Sequence, residues 1–424
     1  MIKLYNTFSF FCRLSLYVVK TWLSKPHHFL CYNSTKMKKK LPLIISLITI
    51  TAIAIILIKM YTLEVDVSLI STFKIPELSQ ISDLKPGDFR EKAVSLDGKI
   101  IQETSKNQHP TASTAKMILG LAIMDKKPFS ESEKGETLTI TPEFYDKYLW
   151  YRTHNGSTTP VTTGEEISEY DALVSVFLAS SNNMADSLAI WAFGGLEEYR
   201  EYATKMLGNM GLENTYLGQD ASGYSETTTS TAGDLAIIAA KLLENPVLKE
   251  IVSLKSHTVP VAGELKNTNK ILGEALNNGS VVSGVKTGYI GDISGYNLIS
   301  AYERDGHLVT LALLGASTRP ASFNESKTEL LRLSEEIVPT EIITKNQPVG
   351  YFKTWWNGRH EIRAKDDLTV IELDTEGKTA NLKADELEIT LNDHKYFVKT
   401  EYDDFSRAPT FIERFLHIFG WQVE

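Results

Sequence analysis

The chain has 424 residues, enough for about two to three domains and a large core. A 23% charged fraction and a mean hydropathy of -0.14 exclude a polytopic membrane protein and a largely disordered chain. Both cysteines, Cys12 and Cys31, lie in the first 31 residues, so no disulfide framework, cysteine-ligated zinc or thiol catalysis is available beyond them. Charge is divided unevenly. Residues 1–60 hold nine Lys/Arg and no Asp/Glu, and the remaining 364 residues carry 35 basic against 53 acidic side chains, a net -18. So acidic a body argues against a nucleic-acid groove as the main surface.

Residues 41–58 form an uninterrupted apolar run of 18 residues, the short end of a membrane-spanning helix. Lys36, Lys38, Lys39 and Lys40 precede it, and Glu64 and Asp66 follow. The cationic flank should stay in the cytoplasm, which puts everything after about residue 60 outside. The sequence Lys59-Met60-Tyr61 is a poor cleavage site, so residues 37–60 read as an uncleaved signal-anchor. Met37, followed by three lysines, reads as a natural start. Residues 1–36 are then an upstream extension, a start-site artefact, with a second amphipathic segment as the alternative.

Residues 61–85 read as a juxtamembrane spacer, and a mixed α and β pattern follows over 86–338. Residues 93–101 pattern as a hairpin around Asp97-Gly98. Helical periods occur at 115–124, 169–193 (broken by Ser180-Ser181-Asn182-Asn183), 230–243 with Ser230 or Thr231 as cap, and 323–338. Strands are predicted at 281–285, 296–301 and 307–315. Strands at both ends with helices between predict an α+β domain, an antiparallel sheet packed by helices. Over 339–405 short alternating runs at 349–356, 359–364, 368–373, 379–383, 387–391 and 396–400 predict a small all-β module. Residues 406–424 hold an amphipathic helix with Phe411, Ile412, Phe415, Leu416 and Phe419 on one face. That face suits either docking on the β module or an interfacial helix on the membrane, with only Arg414 and His417 to attract anionic lipid.

Three short motifs occur in order: Ser113-Thr-Ala-Lys116, Ser180-Ser-Asn182 and Lys286-Thr287-Gly288. Each alone is weak; a second SxxK stands at 283–286. The ordered trio, at separations of 67 and 106 residues, is much harder to obtain by chance. The chain resembles the low-molecular-mass penicillin-binding proteins, the D-alanyl-D-alanine carboxypeptidases of peptidase family S11. The likeness extends to His109-Pro-Thr-Ala-Ser113, Gly164-Glu165, Gly211-Leu-Glu-Asn-Thr215, Asp220-Ala-Ser-Gly223, Asn267-Thr-Asn269 and Gly295-Tyr296, about residues 88–335 in all. It implies the β-lactamase/penicillin-binding-protein transpeptidase-like fold and no cofactor. The implied substrate is the D-Ala-D-Ala end of peptidoglycan stem peptides, with β-lactams as inhibitors.

The residues read the same way chemically. A serine hydroxyl needs a base within hydrogen-bond reach, and Lys116 lies at i+3 from Ser113 on a helix starting near residue 112. The positive helix end, burial and a second cation, Lys286, would push the Lys116 amine toward its neutral form. Lys116 is therefore the expected general base and Ser113 the nucleophile, with Ser180 relaying a proton to the leaving amine. Asn182 can donate to the acyl-side amide carbonyl, while Lys286 and Thr287 suit a free carboxylate. Gly288 lets an extended substrate approach the strand edge. The Ser113 N–H is one oxyanion donor; family resemblance places the second at Tyr289.

A class A β-lactamase shares the trio, but Gly211-Leu-Glu213-Asn-Thr-Tyr-Leu217 lacks its E-x-x-L-N context. A D,D-endopeptidase of the same fold and a non-catalytic penicillin receptor are further alternatives. His27-His28 gives no metalloprotease spacing, so no metal is expected. His109, His154 and His257 read as surface or cap residues, and Trp355 and Trp356 as packing in the β module. The expected location is the cell membrane, single-pass, with the catalytic domain on the extracytoplasmic side.

Overall fold

The computed structural model describes residues 34–63, 67–373, 377–402 and 408–421. Most of the expected N-terminal extension, residues 1–33, lies outside the described residues. Helix α1 (Ser34–Tyr61) contains the apolar run, and 42–61 is the one stretch among the described residues long and apolar enough to cross a membrane. Two of its hydroxyls are satisfied within the helix: Thr49 Oγ1 donates to the Ile45 carbonyl at 2.6 Å and Thr51 Oγ1 to that of Leu47 at 2.5 Å. That is what a span without water requires.

The chain then enters strand β1 (Val67–Ser71), followed by the hairpin β2 (Glu91–Leu96) and β3 (Lys99–Glu103). A 3-10 turn at Ala112–Ala115 leads into α2 (Lys116–Lys126). Helices α3 (Pro142–Thr153), α4 (Glu169–Phe177), α5 (Asn182–Phe193), α6 (Leu196–Asn209), α7 (Ala232–Glu244) and α8 (Pro246–Ser253) come next. Strands β4 (Val285–Gly288), β5 (Tyr296–Arg304) and β6 (His307–Ala316) and helix α9 (Arg319–Glu336) complete the domain.

These strands form one antiparallel sheet in the order β4-β5-β6-β2-β3. Every residue of β2 is buried, because helices cover both faces of the sheet. Alternation decides which side chain goes where. Ala93, Ile299, Ala301 and Ala312 face a large helical core with Met117, Ile118, Phe177 and Leu235. Val94, Leu298, Tyr302 and Leu311 face the other way, onto Leu330 and Leu333 of α9.

Beyond α9 lie β7 (Pro348–Thr354), β8 (Gly358–Ala364), β9 (Thr379–Leu382), β10 (Glu386–Leu391), β11 (His394–Tyr402) and the terminal helix α10 (Phe411–Ile418). The β module is one six-stranded sheet, order β1-β7-β8-β11-β10-β9, around Val349, Ile362, Leu387, Ile389 and Val398. It curls tightly enough that a Cβ on Gly350 would fall 2.3 Å from Leu382.

Two expectations need correction. The spacer at 61–85 is not a plain linker: Val67–Ser71 pairs antiparallel with Ser71 opposite Gly350, completing the module edge. The strand expected at 281–285 begins only at Val285, because Gly284, at φ +143, breaks the extended run. Of the two uses left open for the face of α10, Phe411, Ile412, Phe415 and Phe419 are exposed rather than docked, while Leu416 is half-buried. Trp356 is buried as expected, and Trp355 stacks on His417 with ring centroids 4.1 Å apart. His154 forms the C-cap of α3, and His257 pairs with Asp171 at 3.0 Å.

Candidate active site

The nucleophile candidate sits, as its spacing suggested, where a helix starts at Ala112; this first turn is 3-10 and leads directly into α2. In a 3-10 turn residues i and i+3 eclipse, so Ser113 and Lys116 line up more directly than on an α-helix. Lys116 Nζ and Ser113 Oγ are 2.8 Å apart. The same amine reaches Asn182 Oδ1 at 2.7 Å and the Ser222 carbonyl at 2.8 Å. Lys116 has no exposed surface, and among the described residues no carboxylate touches its amine. Burial is the main cause that brings its pKa down to about 7, against the opposing pull of Asp220 and Asp186. A neutral amine at that distance can take the serine proton.

The second half of the site is built the same way. Lys286 Nζ, also fully buried, donates to Ser180 Oγ at 3.0 Å and to the Thr287 carbonyl at 3.0 Å. Burial, and then repulsion from Lys116, hold its pKa well below the ordinary lysine value. Ser180 occupies the left-handed region at φ 58, as does Ala112 at φ 50, so both residues flanking the reacting groups adopt conformations uncommon for side chains with a Cβ. Asn182, at the start of α5, spends its Oδ1 on Lys116, which leaves the nitrogen end of the amide to donate.

Strand β4 presses directly on the nucleophile turn. A Cβ on Gly288 would stand 3.1 Å from the Ser113 nitrogen and 2.9 Å from the Thr111 carbonyl oxygen, so only glycine fits there. Tyr289 follows, with its ring stacked on Tyr296 at 4.1 Å and 43% exposed. Thr287 Oγ1 lies 2.7 Å from Thr268 Oγ1, in a loop that Asn267 and Asn269 tie to the Leu254 and Gly284 carbonyls. The eight site residues read from the sequence therefore fall into one place. Ser113, Lys116 and Asn182 share one network, Ser180, Lys286 and Thr287 share another, and Gly288 and Tyr289 close the edge beside Ser113.

Sequence reasoning missed the supports. Asn297 Nδ2 donates to the Pro110 and Thr111 carbonyls at 3.1 and 3.0 Å, fixing the approach to Ser113. The loop at 220–225 is shaped by Asp220, which accepts from the Ser222, Tyr224 and Ser225 nitrogens. Gly223, at φ +71, is required because a Cβ would lie 2.0 Å from the Ala112 carbonyl oxygen. The quoted D-x-S-G segment was a signal for this loop, but its hold on Lys116 through a backbone carbonyl leaves no trace in residue type.

Residues 94–318 match the sequence model of the peptidase S11 family, described as D-alanyl-D-alanine carboxypeptidase. The chain belongs to that family. Among curated S11 relatives, the D-alanyl-D-alanine carboxypeptidase DacF of Bacillus subtilis is 25% identical over 265 residues, 60% of this chain and 64% of that protein. DacC of Escherichia coli is 29% identical over 230 residues, 52% of this chain and 54% of that one. The matched part is thus under two thirds of either relative's length. The fold is shared with penicillin binding protein 5 from Haemophilus influenzae, at TM-score 0.55 and 18% identity over 76% of this chain and all of that one. It is also shared with the Streptomyces K15 DD-transpeptidase, at TM-score 0.50 and 21% identity over 62% of this chain and 99% of that one.

Proposed function

We propose that this S11 member is a serine D-alanyl-D-alanine carboxypeptidase acting on peptidoglycan stem peptides, sensitive to penicillin. The observation that carries the reading is the fully buried Lys116 amine, 2.8 Å from Ser113 Oγ and brought down to about pKa 7 by burial. In the proposed sequence Lys116 takes the Ser113 proton as Oγ attacks the carbonyl carbon of the penultimate D-alanine. The Ser113 and Tyr289 N–H groups hold the oxyanion. Ser180, bonded to Lys286, relays that proton from Lys116 to the leaving amine by giving up its own and taking the other, and terminal D-alanine departs. Water then attacks the Ser113 ester and frees the shortened peptide. Asn182 donates to the acyl-side amide, and Lys286 and Thr287 receive the terminal carboxylate. β-Lactams acylate the same oxygen.

We read the chain as a single-pass protein of the cell membrane with its catalytic domain outside; α1 and the lysine cluster ahead of it support this reading. The terminal helix supports that placement. Arg414 Nη1 donates to the Met60 carbonyl at 2.9 Å, so α10 docks at the outer end of α1 with Phe411, Ile412, Phe415 and Phe419 exposed, suited to the membrane interface.

The test is to incubate the full chain, in detergent, with a stem pentapeptide and with a cross-linked dimer. Free D-alanine from the pentapeptide is the expected result; cleavage of the dimer alone replaces the reading with an endopeptidase. Ser113→Ala should lose all fluorescent-penicillin labelling, and retained labelling removes Ser113 as nucleophile.

A further inference from the structure

Helix α5 carries a second polar residue on the face of Asn182. Asp186 lies four positions on, one helical turn away, and is 1% exposed. Its Oδ1 accepts from the Ala221 nitrogen at 3.0 Å. Its Oδ2 accepts from Tyr151 Oη at 2.8 Å and Lys147 Nζ at 3.4 Å, both on α3. Ala221 directly precedes Ser222, whose carbonyl accepts from Lys116.

The bonds made by Asp220 run within its own loop and set that loop's shape. Farther along, Tyr224 Oη ties the loop to the His154 carbonyl. The Asp186–Ala221 bond joins the loop to α5 right beside the carbonyl that holds the amine. Two of the three groups on Lys116 Nζ, Asn182 Oδ1 and the Ser222 carbonyl, are thereby fixed to one helix.

We propose that Asp186 is a positioning residue of this active site, locking the two acceptors of the Lys116 amine in register and biasing its proton affinity. The inference deepens the carboxypeptidase reading and rests on Lys116 being the base. The charged and titratable groups around that amine are Lys286 on β4, Asp220 in the loop, Asp186 on α5, Tyr151 and Lys147 on α3 and Tyr199 on α6. Burial and the two carboxylates raise the pKa of both tyrosines, so they stay neutral. Lys116 opposes a charge on Lys286, whereas Asp186 and Asp220 favour one on Lys116.

Two variants of the full chain in detergent test this by acylation with a fluorescent penicillin across pH. Asp186→Asn keeps an acceptor for the Ala221 N–H and removes the charge. The midpoint of its pH–rate profile should move to lower pH, with little change in the alkaline plateau. Asp186→Ala removes the clamp, and its plateau should fall by about 10²-fold, the usual cost of misplacing a reacting group by about 1 Å. A parental midpoint in Asp186→Asn together with a parental plateau in Asp186→Ala overturns the proposal. Should Asp186→Ala fail to fold, the midpoint in Asp186→Asn decides alone. Ser113→Ala, run in parallel, reports separately: if it still labels, the catalytic reading itself falls whatever Asp186 does.

Discussion

Two buried lysines on opposite faces of the central sheet show what makes burial functional. Lys92 on β2 is 2% exposed, and its Nζ meets Glu329 Oε2 of α9 at 2.9 Å. Glu329 also accepts from Arg332 Nε at 2.9 Å, and Arg332 in turn meets Glu336, so two cations face two carboxylates. Lys116 is as deeply buried, yet its partners are a hydroxyl, an amide oxygen and a backbone carbonyl. Its carboxylates, Asp186 and Asp220, stand one layer back. A touching carboxylate keeps a buried ammonium charged; without one, the desolvation cost falls on the proton. The first arrangement closes a core, and the second suits the base proposed for Lys116.

Exchanging each lysine for methionine should separate the two roles. Lys116→Met should slow penicillin acylation by about 10²–10⁴-fold, the usual worth of a general base, while thermal stability holds or rises. Lys92→Met leaves Glu329 with Arg332 alone in a dry site, and should cost about 3 kcal/mol of stability, the low end for breaking a buried pair. Acylation per folded molecule should be unchanged in Lys92→Met. Stopped-flow labelling with a melting curve on the same samples reads both, and a crossed result, with Lys92→Met slow at chemistry, would erase the distinction.

The loop that holds the Lys116 amine can be broken from its other side. Gly223→Ala forces a Cβ into the Ala112 carbonyl at a left-handed φ, which should cost about 2 kcal/mol or displace the Ser222 carbonyl. Its acylation rate should fall even where the protein remains folded. The pH profile of the parent is a gentler probe. With Lys116 near pKa 7 and required neutral, the acylation rate should rise with pH through about 7 and drop about tenfold for each unit below it. A profile flat across that range contradicts a titrating base.

The trio was legible because chemistry demands residue types, and Ser113, Lys116, Ser180, Asn182 and Lys286 are named by type. The helices α2, α4, α5 and α7 were legible because their apolar runs are buried nearly all round in a single large core. Other features depend on partners far away in sequence. Strand β1 is five residues of ordinary polarity and becomes a strand only because Pro348–Thr354, some 280 positions on, offers it an edge. Helix α3 packs a polar surface over α5, so Asp146, Lys147 and Arg152 obscure any period. Asp186 and Asn297 look like ordinary polar residues until folding aims them at the backbone of Ala221 and Thr111.

The smallest expected effect sharpens the contrast between a charge that is paired within the protein and one that awaits a ligand. Lys286 touches no carboxylate, and the hydroxyl of Thr287 beside it is engaged by Thr268 Oγ1 at 2.7 Å. That pairing lets one hydroxyl donate to the other while the second proton is aimed outward, the arrangement a terminal carboxylate needs. Thr287→Val keeps the shape of the side chain and removes its hydroxyl. The loss for a peptide ending in a free carboxylate should be about tenfold in kcat/KM, close to one hydrogen bond to a charged group. For the same peptide amidated at its C-terminus the loss should be near zero, since no anion is there to receive the bond. Equal losses for the two would mean that Thr287 only packs the strand edge, and that the carboxylate is held by Lys286 alone.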